Sequence, residues 1–136
     1  MAKYAAVGTQ LKRGATAIAQ VRKIDGPGLD SNIIEASSHD DTNGYASFVQ
    51  GLKDAGEITL DIAYDPAHAT HKNASGGLLY DYESGAVTAY TMVFPDAALT
   101  EWDFNCIVKS FKPGAPVDGL LTASVTLKIS GAPTLA

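Results

Sequence analysis

Trp102-Asp103-Phe104-Asn105-Cys106-Ile107-Val108-Lys109-Ser110-Phe111 and, ten residues further on, Thr122-Ala123-Ser124-Val125-Thr126-Leu127-Lys128-Ile129-Ser130 decide the fold of this chain. In the first segment Trp102, Phe104, Cys106 and Val108 alternate with polar residues, the period of two of a strand with one buried face. Phe111 falls out of phase, and one extra residue between Ile107 and Ser110 restores it, which predicts a β-bulge there. Between the segments, Lys112-Pro113-Gly114-Ala115-Pro116-Val117-Asp118-Gly119 is too rich in proline and glycine to extend a ladder and marks a turn. In the return segment Leu121, Ala123, Val125, Leu127 and Ile129 share one face. Thr122, Ser124, Thr126, Lys128 and Ser130 share the other.

Working outward, Glu57 to Tyr64 repeats the pattern, with Ile58, Leu60 and Ile62 opposite Glu57, Thr59 and Asp61. Val87 to Phe94 is a further strand carrying Tyr90, Met92 and Phe94 on one side. Thr16 to Ile24 reads as one weakly apolar strand, Ser31 to Ser37 as another, and residues 1–15 as an arm or irregular loop. Asp65-Pro66 has the form of a helix start, with His71, Ala74 or Ser75, Leu78 and Tyr82 at helical spacing and Gly85 as a stop. Gly76-Gly77 weakens the middle of that helix. The segment from His39 to Gly56 is long and polar, yet carries Tyr45, Phe48, Val49 and Leu52; loops of that length are functional more often than idle. Six strands, one helix and one long loop give a mainly β fold: a β-sandwich or barrel-like sheet with one flanking α-helix.

The 136 residues form one domain on this reading, with residues 39–56 as its long loop and 131–136 as a C-terminal arm. A single cysteine, Cys106, excludes an intrachain disulfide and sits on an apolar strand face, where a thiol acts as a small buried hydrophobe. The N-terminal apolar run is too short for a signal peptide, and no segment is long enough to span a bilayer as a helix, so no membrane anchor is expected. With fifteen acidic and ten basic residues the net charge is −5, which opposes nonspecific attraction to nucleic acid or anionic membrane.

Catalytic signatures are sparse. His39-Asp40-Asp41-Thr42-Asn43-Gly44 begins like a calcium loop, but Gln50 stands where a bidentate glutamate belongs. His68 and His71 have a spacing that zinc pairs use, without an evident third ligand, and His71 is expected at the edge of the core with His68 in solvent. There is no Gly-x-Ser-x-Gly elbow, Gly26-Pro27-Gly28 lacks the rest of a dinucleotide fingerprint, and no phosphate loop ends in Lys-Ser or Lys-Thr. No catalytic, cofactor or metal residues are assigned. A β domain with an apolar-studded loop and a polar sheet face fits assembly better than catalysis.

Five blocks of the sequence, in order and spacing, resemble the tail tube proteins of long-tailed phages. They are Gly51-Leu52-Lys53-Asp54-Ala55-Gly56-Glu57-Ile58-Thr59-Leu60, Tyr64-Asp65-Pro66, Phe94-Pro95-Asp96, Ser110 through Gly119, and Leu127-Lys128-Ile129-Ser130-Gly131-Ala132-Pro133-Thr134-Leu135. The resemblance spans about Gly8 to Leu135. It implies a structural virion protein, not an enzyme, assembled in the host cytoplasm as stacked hexameric rings that form the conduit for DNA. Implied partners are further copies of the chain, a tape-measure protein, and the terminator, baseplate and distal tail proteins; DNA passes without specific binding. By the same resemblance Tyr45, Phe48, Leu52, Lys53 and Asp54 are candidate subunit or ring contacts. Glu57, Thr59, Asp61, Thr122, Ser124 and Thr126 are candidate lumen-facing residues. Two other readings are an inner tube of a contractile tail or related injection device, and a monomeric β-sandwich module binding a ligand on residues 39–56.

Overall fold

The computed structural model describes residues 3–39 and 44–136. Among these the order of elements is β1 (Gln10–Arg13), β2 (Thr16–Ala17), β3 (Val21–Asp25), β4 (Asp30–Glu35), β5 (Phe48–Asp54), β6 (Glu57–Ala63), α1 (Leu78–Ser84), β7 (Thr88–Val93), β8 (Glu101–Gly114) and β9 (Thr122–Ile129). Seven of the strands form one antiparallel sheet in the order β2-β1-β7-β8-β9-β6-β3, and β4 with β5 forms a separate hairpin. The sheet rolls so that β1 approaches β3, and α1 lies against β8. This is the mainly β, barrel-like architecture with one helix that the alternation predicts.

The pairing of β8 with β9 is the backbone of the sheet. Cys106 stands opposite Ile129 and Val108 opposite Leu127; the register then slips between Val108 and Ser110, and Phe111 stands opposite Val125. The predicted bulge is therefore present, and it returns Phe111 to the apolar face. On β9 every second residue from Ala123 to Ile129 is buried, and on β6 so are Ile58, Leu60 and Ile62. These side chains meet Leu11, Tyr90, Met92, Phe104 and Leu78 in one core. Cys106 is buried there, and burial pushes its thiol up to about 12, so it behaves as the small hydrophobe that its position implies.

Several expectations are corrected. The helix does not begin at Asp65-Pro66. Asp65 does accept a hydrogen bond from the Ala67 amide, but residues 65–77 form successive turns and α1 starts only at Leu78. Gly77 explains the delay: a Cβ at this position would collide with the Lys72 carbonyl, so the chain folds back through a site that only glycine fills. Leu78 is buried as expected, but Tyr82 is exposed and Asp81 is buried instead. His71, expected at the edge of the core, is fully buried. Its Nδ1 accepts from the Asp65 amide at 3.2 Å and its Nε2 faces the Ala19 carbonyl at 2.7 Å. His68, expected in solvent, is half-buried and bonded to Thr70.

The strand read from Thr16 to Ile24 is two strands, because Gln20 adopts a left-handed φ of 58° that breaks the extended backbone. Residues 1–15 contain β1, which pairs with β7 through Leu11 opposite Met92. The long loop contains β5. Six expected strands thus become nine among the described residues. The segment His39 to Gly44, which begins like a calcium loop, falls largely on residues 40–43, outside the described residues.

A buried ionic node joins the helix to the sheet. Asp81 accepts two hydrogen bonds from Arg13, at 2.7 and 2.8 Å, and a third from the Tyr90 hydroxyl. Burial and the adjacent carboxylate push the Tyr90 hydroxyl far above its ordinary range, so it remains a donor. The hydrogen bonds that Arg13 donates to Asp81 raise the guanidinium in turn. Asp81 and Tyr90 are buried and Arg13 partly so, and removing one member leaves a buried polar group short of its partner. Asp81→Ala should lower stability by about 3 kcal/mol in urea denaturation, and Tyr90→Phe by about 1.5 kcal/mol. A loss under about 1 kcal/mol for Asp81→Ala would show that the node carries no stability.

Candidate assembly and channel surfaces

Two surfaces gather the residues singled out from the sequence. The first is the β4–β5 hairpin. Ile34 stands opposite Val49, Glu35 opposite Phe48 and Ile33 opposite Gln50, with a register slip between Ser31 and Ile33. In β5, Phe48 and Val49 point to opposite sides, so the hairpin exposes apolar side chains on both faces. None of these side chains folds back onto the core: Phe48 is 59% exposed and Leu52 89%. Tyr45, just before the hairpin's second strand, is 80% exposed. Lys53 and Asp54 lie at the base of the hairpin, on a groove of about 740 Å³ shared with Leu29, Ala55, Pro133 and Leu135. The C-terminal residues forming its other wall are held to β8 by the paired backbone hydrogen bonds of Asp103 and Thr134.

The second surface is the polar face of the large sheet. Pairing of β6 with β9 places Glu57 opposite Lys128, Thr59 opposite Thr126, Asp61 opposite Ser124 and Ala63 opposite Thr122. The two polar stripes read separately in the sequence are therefore neighbours on one continuous face. Lysines interrupt it. Lys109 Nζ lies 2.7 Å from Glu57 Oε1, and Lys128 Nζ lies 3.0 and 3.2 Å from the two oxygens of Asp54. This face is thus mixed in charge, not the acidic and hydroxyl wall that Glu57, Asp61 and the threonines alone imply.

Asp81 and the partners of Glu57 and Asp54 were not legible as site residues. Lys109 and Glu57 are 52 residues apart, and Lys128 and Asp54 74 residues apart, so only the sheet register brings them together. Among the described residues no group of three or more His, Cys, Asp or Glu is arranged to hold a metal ion.

The architecture defines the class. The same fold is found in a chain of the virion of a native gene transfer agent particle (TM-score 0.75, 12% identity, 98% of this chain and 99% of that chain). It recurs in the tail of an empty gene transfer agent particle, computed with helical refinement and C6 symmetry (0.68, 14%, 93% and 94%). It recurs again in the sheath/tube terminator structure of the extracellular contractile injection system PVC in its extended state (0.75, 15%, 100% and 98%). At these identities the likeness is one of fold. Residues 8–136 match the model of the lambda phage tail tube protein family, and the chain belongs to that family. It is a structural protein of the virion tail. No curated protein matches the chain at the level of sequence.

Asp54 links the two surfaces and offers a direct check on them. Its carboxyl is held below the ordinary 3.8, first by the Gly56 amide that donates to it at 2.9 Å and second by Lys128. Because the folded-state value is depressed, the stabilisation is fully present above the ordinary carboxylate range and fades as pH falls through the folded value. An NMR titration should place Asp54 below 3.8, and Lys128→Met should return only part of the shift, leaving the part due to the Gly56 amide. Complete return in Lys128→Met would show the lysine, not the turn, to be the main cause.

Proposed function

We propose that copies of this chain close into hexameric rings and that the rings stack into the tail tube through which DNA leaves the capsid. The observation that carries this reading is the β4–β5 hairpin. An isolated two-stranded hairpin is marginal in water, and this one exposes apolar side chains on both faces. Seating it on neighbouring copies buries Phe48, Leu52 and Ile33 and supplies what the isolated subunit lacks. Tyr45, Lys53 and Asp54 flank that contact. The large sheet also ends in two free edges, β2 and β3, which a ring closes by pairing or covering them. The C6 symmetry of the gene transfer agent tail supports a six-membered ring.

In this reading the polar face bearing Glu57, Thr59, Asp61, Thr122, Ser124 and Thr126 lines the channel, and DNA passes it without specific binding. Further copies of the chain, a tape-measure protein within the growing tube, a terminator and baseplate proteins are the partners. The chain performs no catalytic step and uses no cofactor. Residues 1–136 act as one tube domain, in which the N-terminal arm, residues 39–56 and residues 131–136 serve assembly. The likeness to the contractile injection system component supports a second reading, an inner tube within a sheath. The lambda family match favours the first.

Phe48→Asp places a charge on the exposed apolar face of the hairpin, away from the core. The variant subunit should keep its circular dichroism and melting temperature while forming no tubes under negative-stain electron microscopy. Normal tubes from Phe48→Asp would remove the hairpin from the assembly contact.

A further inference from the structure

The polar sheet face carries half of the chain's ten basic residues. Lys12, Lys23, Lys112 and Lys128 stand in register with Thr91, Asp61, Ser124 and Glu57, and Lys109 reaches the same face from the bulge in β8. Lysines set in such a face attract a polyanion, because each one that meets a phosphate releases about one condensed counterion. A wall past which DNA has to slide is poorly served by that.

The geometry counters it. Glu57 faces Lys128 directly across the β6–β9 ladder, yet the two do not pair with each other. Glu57 instead takes Lys109 from β8, and Lys128 turns to Asp54 at the end of β5, where both carboxylate oxygens lie within 3.2 Å. Each carboxylate thus serves a different lysine. Ion pairs this exposed add little to stability, so the fold does not depend on them. The depressed Asp54 carboxyl stays anionic at neutral pH and throughout mild acid.

We propose that Glu57 and Asp54 are built-in counterions that hold Lys109 and Lys128, so that DNA moving along the polar face finds these cations already neutralised. The proposal rests on reading this face as the channel wall. It makes the two carboxylates determinants of non-adhesion and gives the face a specific partner chemistry, the phosphate backbone of a nucleic acid, which it is arranged to pass without retaining.

The test uses the full chain and a short fluorescent DNA duplex, with binding followed by anisotropy from about 50 to 200 mM salt. Glu57→Gln frees Lys109, and adding Asp54→Asn frees Lys128 while the amide oxygen still accepts from Gly56. The double variant should bind the duplex at least about tenfold more tightly than the parent chain at about 50 mM salt. Its plot of log affinity against log salt should steepen by about 0.9 for each freed lysine. Glu83→Gln, which removes one negative charge from the exposed side of α1, matches Glu57→Gln in net charge but frees no lysine and should bind like the parent. Adding Lys109→Met and Lys128→Met to the double variant should abolish the gain.

Equal gains from Glu57→Gln and Glu83→Gln would assign the effect to bulk charge and overturn the proposal. So would an unchanged affinity in a double variant whose melting temperature matches the parent. Absence of tubes from the parent chain would defeat the tube reading separately, since the binding comparison is made on subunits.

Discussion

The slip in register between Val108 and Ser110 is the constraint on which the rest of the sheet depends. β8 is fourteen residues long and reaches from the strand ends near the C-terminal residues to the proline-rich turn. Strict alternation over that length would send Phe111 to the polar face and Ser110 to the core. A single extra residue reverses this, placing Phe111 opposite Val125 and edge-on to Tyr64 at 5.2 Å. Lys109, which alternation already sets on the polar face, lies at the slip beside Glu57. One local irregularity therefore completes the core.

The central strands were legible in the sequence because their physics is local. On β6 and β9 one face is buried and one is not, and alternation records that residue by residue. The bulge was legible for the same reason, as a break in an otherwise regular pattern. The helix start was not. Asp65-Pro66 carries the chemistry of a helix N-terminus, but the closeness of Gly77 to the Lys72 carbonyl, a contact across a turn, decides where α1 begins. Likewise Gln20 has no sequence mark of a strand breaker; its left-handed backbone is imposed by the need to carry the chain from β2 to β3, where the Gln20 carbonyl accepts from Ala63 at 2.9 Å.

The candidate surfaces divide along the same line. Tyr45, Phe48 and Leu52 were visible as apolar residues without an evident place in a core, and exposure on a free hairpin is the structural form of that anomaly. What concealed the hairpin was composition: glycine and charged residues within and around β5 read as loop, although Gly51 is needed where Ile34 and Asn32 crowd the opposing strand. Asp81 was concealed by the opposite effect. A carboxylate on a short helix reads as solvent-facing, and only the arrival of Arg13 and Tyr90 from distant strands makes its burial tolerable.

Charge is where whole-chain reasoning serves least well. A net charge of −5 describes the field at a distance. It does not describe the sheet face, where lysines and carboxylates are nearly balanced and the excess of acid lies elsewhere, on β4, α1 and the turns. At contact range a polyanion responds to the nearest charges, because those beyond about 10 Å are screened at ordinary ionic strength. Whether the face repels, ignores or holds DNA is then fixed by which lysine heads are engaged and by what. Two chains with the same composition and the same net charge, differing only in whether Glu57 reaches Lys109, would present different walls.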